Sequence, residues 1–177
     1  MPYNPELHHR RSIRLPNYDY SQAGAYFVTV VAWRREYLFG AVVDGQVRLT
    51  TAGQLVKDAW EALPVRYPSI ALDAFCIMPN HIHGILNITD AVGTVHEPLL
   101  SQTDRRNMLL PKAIGYLKMN AAKRINLLRS RTGIPIWQRN YYEHVIRNDS
   151  DLSRIRQYLA SNPARWKSDE LNPFLTK

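Results

Sequence analysis

The sequence has a single cysteine, Cys76, among 177 residues, so it can form neither an internal disulfide nor a zinc site with paired cysteines. It also lacks any apolar run of the roughly 18–20 residues that a membrane span requires. The arginines near the N-terminus are followed by no apolar stretch, which predicts the absence of a signal peptide. We therefore expect a cytoplasmic protein that has no membrane partner.

Acidic residues are scarce, with 15 Asp and Glu against 23 Lys and Arg, which gives a net charge of +8. A strongly basic balance favours an anionic partner, and nucleic acid is the leading candidate. Simple solubility would explain the charge about equally well. With 45% hydrophobic residues, the chain can build a real core, and its length predicts a single domain over residues 1–177.

The first half of the chain predicts strands around one helix. Residues 25–33 are β-branched and aromatic, which indicates a strand, and residues 42–49 indicate a small hairpin around Asp44 and Gly45. Thr51 is expected to cap a helix over residues 52–63 that ends before Pro64. Residues 70–77 and 81–88 are apolar and predict two strands joined by a tight turn.

The second half begins with a long segment, residues 89–110, that has no clear period and is expected to be a loop. From Leu110 to Leu128, apolar residues recur every three or four positions, which predicts an amphipathic helix with Pro111 in its first turn. Residues 134–147 are aromatic and β-branched and indicate a last strand. The cluster Asn148-Asp149-Ser150-Asp151 is then expected to cap a helix that ends near Ser161, before Pro163.

This order is strand, helix, strand, strand, helix, strand, followed by one extra helix. It predicts an α+β, ferredoxin-like (RRM-like) antiparallel sheet with two helices on one face. Residues 1–24 would be a basic arm, residues 25–147 the core, and residues 148–177 an additional helix and tail. The other face of the sheet would be free to hold a site, and the additional helix could cross it.

Two histidines, His81 and His83, flank Ile82 at the start of the strand over residues 81–88. Side chains alternate between the faces of a strand, so both imidazoles point to one side, about 6.5–7 Å apart along the strand. Such a pair can bind a metal through one nitrogen each, but a metal needs at least a third ligand. Taken alone, the pair is more often incidental than functional.

Tyr158 and Asn162 lie four residues apart, so they share nearly the same face of the last helix. The phenol is a candidate nucleophile, and the amide oxygen of Asn162 is a neutral candidate ligand. If the helix crosses the free sheet face, both side chains would reach the histidines. The ordinary alternatives are a surface tyrosine and a cap that precedes a proline.

Three segments, MPNHIHG, IWQRNYYEHVIRN and QYLASNPARW, occur in this order and resemble the single-tyrosine HUH transposases. The opening RRSIRLPNYDY and GAYFVTV are similar to the REP-associated tyrosine transposase branch of that family, also described as IS200-like. The resemblance covers about residues 10–168. The histidine pair is a weak signal by itself, whereas the ordered set is specific.

The resemblance implies an enzyme that cuts and rejoins one DNA strand through a 5′-phosphotyrosine intermediate. Tyr158 matches the nucleophile, and His81, His83 and Asn162 match the metal ligands. Two imidazoles and an amide oxygen suit Mg²⁺ or Mn²⁺, and Mn²⁺ accepts imidazole better. Because the phosphotyrosine bond conserves the ester energy, rejoining needs no ATP, and the sequence contains no P-loop pattern.

The implied substrate is single-stranded or hairpin DNA, such as a repetitive palindromic element. Charge alone suggests the DNA-binding residues, which would be Arg10, Arg11, Arg14, Lys118, Lys123 and Arg124. Tyr141 and Tyr142 are rival nucleophiles, and the sequence does not assign roles to Glu143 and His144. Relatives of this type are often homodimers, so the resemblance leaves open a site shared between two chains.

Two other functions are compatible with the sequence. A non-catalytic nucleic-acid-binding module could use the free face of an RRM-like sheet. A small hydrolytic metalloenzyme could use the histidine pair, although no carboxylate cluster is evident beside it. The first alternative leaves the spacing of Tyr158 and Asn162 unexplained.

Overall fold

The computed structural model describes residues 18–89 and 108–174 and contains one four-stranded antiparallel sheet. Its strands lie in the order β4-β5-β1-β6, where β1 is Gly24–Val31, β4 is Ile70–Ile77, β5 is His81–Ile88 and β6 is Tyr142–Ile146. This order confirms the predicted ferredoxin-like topology. A separate hairpin pairs β2, Gly40–Val43, with β3, Gln46–Leu49.

Four α-helices accompany the sheet in the described residues. They are α1, Thr51–Glu61; α2, Leu63–Arg66; α3, Leu109–Leu128; and α4, Asp149–Ser161. Helices α1 and α3 pack their apolar sides on one face of the sheet, in the core that contains Ile82 and Leu86. Helix α4 packs on the opposite face with Phe27 and Ile85, and a 3₁₀ helix, Pro163–Ser168, follows it. The two faces therefore separate a structural core from the face that carries the histidines.

Several predicted boundaries are wrong, although every predicted element in the described residues exists. The cap of α1 is Thr50, whose hydroxyl accepts a hydrogen bond from the Gly53 amide at 3.1 Å, and not Thr51. Helix α1 ends at Glu61, before the predicted end at Leu63. Pro64 does not end this helix but lies in the first turn of α2. β1 begins and ends earlier than predicted, at Gly24 and Val31.

The predicted last strand, residues 134–147, is mostly not a strand. Only Tyr142–Ile146 pairs with β1, and Trp137 makes a single isolated bridge to Ala32. The aromatic residue Trp137 and its neighbour Ile136 are nevertheless buried in the core, which explains why this segment has the composition of a strand. The greater part of the predicted arm, residues 1–17, and of the predicted loop, residues 90–107, lies outside the described residues.

Within the described residues, no helix has both the length and the apolar character that crossing a membrane demands.

Gly84 is the residue of β5 that lets α1 approach the sheet. A Cβ atom at this position would lie 2.3 Å from Cη2 and 2.6 Å from Cζ2 of Trp60. The Trp60 ring stacks on Phe75 at a centroid distance of 4.4 Å with an interplanar angle of 6°. The Trp60 ring is therefore packed against both Phe75 and the backbone of Gly84, with no room for a side chain at position 84.

We expect Gly84→Ala to lower the free energy of unfolding by about 1–3 kcal/mol or somewhat more, because the added methyl group overpacks this contact. Denaturant unfolding followed by fluorescence measures the loss. Gly115→Ala is the matched control, since a Cβ there meets nothing within 4 Å. On the exposed side of α3 it should stabilise the protein by up to about 1 kcal/mol. Equal effects of the two substitutions would contradict this account of Gly84.

Candidate active site

The two histidines of β5 lie on the sheet face opposite α1 and α3. The strand alternates so that Ile82, Leu86 and Ile88 enter the core, while His81 and His83 face α4. Their Nε2 atoms are 3.0 Å apart, and both residues are almost completely buried. The prediction that the two imidazoles share one side of the strand is confirmed.

A second set of contacts orients the two rings. Asn80 donates its amide hydrogens to the carbonyl oxygens of Leu171, at 2.7 Å, and Arg35, at 3.3 Å. Its Oδ1 atom therefore faces Nδ1 of His81 at 2.7 Å and accepts a hydrogen bond from it. That leaves a lone pair on Nε2 of His81, the atom nearest to His83. Nδ1 of His83 lies 2.7 Å from the hydroxyl of Thr29.

Burial keeps both imidazoles neutral at physiological pH. Loss of solvation, aided by the nearby charge of Arg35, lowers the pKa of His81 to about 3. Burial also lowers the pKa of His83 to about 3, with a further contribution from His81 and an opposing one from Asp169. A metal binds the neutral form of imidazole, so these residues need not lose a proton before coordination.

Helix α4 brings Tyr158 to the histidines of the same chain. The phenol oxygen lies 3.3 Å from Nε2 of His83, and the ring makes edge contacts with His83 and Phe27. Burial raises the pKa of Tyr158, and the charge of Asp169 adds to this, while a hydrogen bond from Asn162 lowers it. The phenol is therefore protonated at neutral pH.

Side-chain contacts at both edges of the sheet hold α4 across it. At the β4 edge, Nε of Arg156 donates to Asp73 at 3.0 Å. At the β6 edge, Nε2 of His144 lies 2.7 Å from the carboxylate of Asp151, in the first turn of α4. The helix starts at its predicted cap, where Asn148 accepts a hydrogen bond from the Asp151 amide at 2.8 Å.

Asn162 follows Tyr158 by one turn and is buried, with 2% of its surface exposed. Its Oδ1 atom is buried and has no hydrogen-bond partner among the described residues. A buried acceptor without a partner is costly in a folded protein. Coordination of a cation would satisfy this oxygen, so its state fits the ligand role that the sequence predicts for Asn162.

Asp169, which lies after the 3₁₀ helix, is not among the site residues predicted from the sequence. Its carboxylate is 4.0 Å from Nε2 of His81. Among the described residues, His81, His83 and Asp169 form a group whose possible ligand atoms all lie within 4.8 Å of one another. No local motif marks this residue, because only the turn after α4 brings it back to the histidines.

A cleft of about 1300 Å³ opens beside the site, between β6 and α4. Its walls contain His83, Tyr158, Asn162 and Asp169, together with the exposed residues Arg154 and Arg165. Glu143 is buried in β6 and His144 lines the cleft, and His144 also anchors α4 as described above. The cleft is the route by which a substrate would reach the phenol.

The residues predicted to bind DNA are not gathered at this cleft. Arg10, Arg11 and Arg14 lie outside the described residues. Lys123 and Arg124 lie on α3, on the other side of the sheet from α4, and Arg124 pairs with Asp58 at 2.9 Å. Their contact with DNA stays a prediction.

Lys118 has a role in the structure that differs from phosphate binding. Its Nζ donates to the carbonyl oxygens of Gln138, Arg139 and Asn140, at 2.7, 3.0 and 3.4 Å. Burial lowers its pKa to about 8, so the ammonium is still mostly protonated at neutral pH. The lysine thereby fixes the segment that leads from Trp137 to β6.

We expect Lys118→Met to lower the free energy of unfolding by about 1.5–3 kcal/mol, the usual range for hydrogen bonds to a charged group. Lys123→Met, on the exposed side of the same helix, should change it by less than about 0.5 kcal/mol. Thermal or denaturant unfolding of both variants provides the comparison. If the two variants were equally stable and both bound DNA weakly, Lys118 would act mainly through phosphate contact.

The sequence and the fold are similar to known proteins. No protein-family model matches the chain. A Haemophilus influenzae protein named "Uncharacterized protein" is 38% identical over 173 residues, which cover 96% of each chain. A second protein of that organism, named "Putative REP-associated tyrosine transposase", is 27% identical over 147 residues, covering 83% of this chain and 74% of the relative.

Among solved structures, a REP-associated tyrosine transposase bound to a REP hairpin has a similar fold. Its TM-score is 0.57 at 21% identity, and the alignment covers 86% of this chain and 73% of that one. The fold of this chain is therefore similar to that of a REP-associated tyrosine transposase. The chain belongs to the same family as the first Haemophilus influenzae relative, and its more distant similarity to the second is to a protein named as a REP-associated tyrosine transposase.

Proposed function

We propose that this protein is a transposase that cleaves and rejoins single-stranded DNA, with Tyr158 as the nucleophile. The observation that carries the proposal is the position of the phenol oxygen, 3.3 Å from Nε2 of His83 in the same chain. The nucleophile and both histidines therefore come together without a second copy of the chain. A site within one chain is part of the proposal.

In the cleavage step, the phenol oxygen of Tyr158 forms a bond to phosphorus and the bond from phosphorus to the 3′ oxygen breaks. The phenolic proton passes to solvent, and the departing 3′ oxygen takes up a proton to become a hydroxyl. The DNA 5′ phosphate stays attached to Tyr158. Attack by another 3′ hydroxyl reverses these changes and releases the tyrosine, so no energy source is consumed.

The free phenol is a poor nucleophile because burial raises its pKa. The contacts of the Tyr158 ring with His83 and Phe27 compensate by holding the oxygen in one position, which is the main contribution that positioning makes to such a reaction. A divalent cation, when bound, polarises the scissile phosphate and stabilises the charge of the transition state. His81, His83 and Asn162 would hold it, since two neutral imidazoles and an unsatisfied amide oxygen are compatible with Mn²⁺ or Mg²⁺.

The substrate that fits best is a DNA hairpin with an adjoining single strand. The similar solved structure contains a REP hairpin. In this chain, the cleft beside Tyr158 is open and has Arg154 and Arg165 at its walls, which suits a phosphate backbone. The net charge of +8 supports attraction of DNA from a distance. A protein that acts on chromosomal DNA would work in the cytoplasm.

The test uses the complete chain and end-labelled hairpin DNA with a single-stranded extension, in Mn²⁺ and, as a control, in EDTA. We expect a protein–DNA band that survives a denaturing gel and forms only with the metal. Digestion of this species and mass spectrometry of the peptide should find the nucleotide on Tyr158.

Two other results would overturn the proposal. Binding to a range of hairpins without any covalent species would identify a nucleic-acid-binding module that is not catalytic. Metal-dependent cleavage that yields free 5′ phosphates and no adduct would indicate hydrolysis by an activated water.

A further inference from the structure

We propose that Asp169 is a carboxylate ligand of the same metal ion and is supplied by the segment that follows the 3₁₀ helix. The proposal deepens the proposed function, because it adds a charged ligand to a site that otherwise contains neutral groups. It rests on that function only for the presence of a cation. It is argued from the distances, hydrogen bonds and burial around Asp169.

The distances allow a shared ion. Two ligands that each lie about 2.1 Å from one cation are about 3.0 Å apart in adjacent octahedral positions and about 4.2 Å apart in opposite ones. The Nε2 atoms of His81 and His83 are 3.0 Å apart, which fits adjacent positions. The Asp169 carboxylate is 4.0 Å from Nε2 of His81, and the widest separation in the group is within 4.8 Å. For all three to bind one ion, the Asp169 carboxylate would have to lie about 1 Å closer to the histidines.

Hydrogen bonds leave one carboxylate oxygen of Asp169 available. Oδ1 accepts from the Leu171 amide at 2.7 Å, and the Asp169 amide donates to the Trp166 carbonyl at 3.2 Å. Oδ2 is the oxygen nearest to His81. The turn thus fixes the carboxylate with its second oxygen directed to the histidines.

Asn80 ties this turn to the histidine pair. One end of its amide accepts from His81, and the other donates to the Leu171 carbonyl. Trp166, which is buried, lies beside the His81 ring at a centroid distance of 6.1 Å. The Asn80 side chain therefore links the His81 ring to the turn whose Leu171 amide holds the Asp169 carboxylate.

The negative charge of the Asp169 carboxylate favours a bound cation at this position. The Asp169 side chain is only 8% exposed, and its Oδ2 atom faces Nε2 of His81 at 4.0 Å. A buried carboxylate without a cation is costly, and a divalent metal supplies the missing positive charge. Hard cations also prefer carboxylate oxygen, so Asp169 would raise the affinity of a site that otherwise has two imidazoles and an amide.

The first measurement is Mn²⁺ binding by calorimetry, with no DNA present. We expect Asp169→Asn to raise the Kd for Mn²⁺ at least tenfold. Glu170→Gln is the matched control, because this neighbouring acidic side chain is exposed and only its backbone carbonyl makes a contact, with Arg35. It should change the Kd by less than a factor of two. Circular dichroism spectra must show that both variants are folded.

A second variant separates a ligand from a nearby charge. Asp169→Cys should bind Cd²⁺ and give the ultraviolet absorption of a cadmium–thiolate bond, because thiolate is a preferred ligand of this soft metal. The unmodified chain contains Cys76 and serves as the blank. Unchanged Mn²⁺ affinity in Asp169→Asn, or Cd²⁺ binding by Asp169→Cys without the thiolate band, would overturn the proposal.

These results are independent of the adduct test. If Mn²⁺ binding ignores Asp169 while the unmodified chain still forms the Tyr158 adduct, the ligand proposal fails and the proposed function stands. If Mn²⁺ binding requires Asp169 but no adduct forms on any hairpin, the ligand proposal stands and the proposed function fails.

Discussion

Replacing Tyr158 with phenylalanine is expected to abolish the covalent protein–DNA adduct and to reduce strand cleavage on the order of 10⁴-fold or more, the scale seen when a nucleophilic oxygen is removed. The substitution deletes one oxygen and leaves the ring in place. Its edge contacts with Phe27, at 6.2 Å, and with His83, at 5.3 Å, do not depend on that oxygen. The effect on activity should therefore far exceed the effect on stability.

The expected stability change is small. The phenol gives up its contact with His83, which at 3.3 Å is long for a hydrogen bond to oxygen, and its hydrogen bond with Asn162. A typical hydrogen bond contributes about 0.5–1.5 kcal/mol. Thermal unfolding of the Phe variant should thus give a melting temperature within a few degrees of the original, and hairpin binding in a native gel should persist.

Tyr142→Phe is the matched control for this experiment. Tyr142 also contacts the edge of Phe27, at 6.4 Å, is 49% exposed, and lines the same cleft. It is a rival nucleophile on sequence grounds, yet in the described part of the chain its ring contact is with Phe27 and not with either histidine. The adduct should form with Tyr142→Phe and be missing with Tyr158→Phe. The opposite pattern would assign the nucleophile to β6.

The fold was predictable where an apolar pattern is bounded by clear turn or capping residues. The strands β4 and β5 begin and end where the sequence predicts, because each apolar run is bounded by the Met78–Asn80 turn or by polar residues. Helix α4 has its predicted cap and end, since Asn148 and Pro163 enclose it. The turn of the small hairpin is also as predicted, and both Asp44 and Gly45 have positive φ there.

The errors occurred where neighbouring residues carry the same signal. Thr50 and Thr51 are both good caps, and only the hydrogen bond to Gly53 selects Thr50. The segment before β6 has the composition of a strand because Ile136 and Trp137 are buried, but its backbone makes only an isolated bridge to Ala32, and Lys118 holds the residues that follow. Burial and strand pairing are separate properties, and composition reports only the first.

In the candidate site, too, local sequence patterns were recognisable and contacts between distant residues were not. The histidine pair and the Tyr158–Asn162 spacing are local patterns, so the sequence could single them out, although their roles in catalysis stay predictions. Asp169 is seven residues beyond Asn162 and has no periodic relation to it. Its approach to His81 depends on the 3₁₀ helix and on the hydrogen bond from Asn80 to the Leu171 carbonyl. Neither can be inferred without the tertiary structure.

The second large effect is expected from His81→Ala, which should reduce cleavage by about 10³-fold or more while hairpin binding changes little. Loss of a metal ligand removes several kcal/mol of transition-state stabilisation, and each 1.36 kcal/mol corresponds to a factor of ten in rate. His81 has no exposed surface, so its side chain is not available for contact with DNA. Cleavage assays and a native-gel titration on the same preparations separate the two effects.

Folding has to be controlled, because His81 is buried and its removal leaves Oδ1 of Asn80 without its partner. We expect a loss of about 1–3 kcal/mol in unfolding free energy from that unsatisfied acceptor. Cys76→Ala is the matched variant: Cys76 pairs with His83 across β4 and β5, is 9% exposed on the same face, and is no predicted ligand. It should weaken stability to a similar degree but leave the adduct.

Comparing the two variants decides what the histidine does. If Cys76→Ala and His81→Ala lose stability alike and only the second loses cleavage, the imidazole acts on the reaction and not through packing. If His81→Ala weakens hairpin binding as much as cleavage, the histidine would serve the binding of DNA, and a mainly catalytic role would be wrong. Because the imidazole is neutral and buried, with its Nε2 lone pair facing His83, the first result is the one that the site geometry predicts.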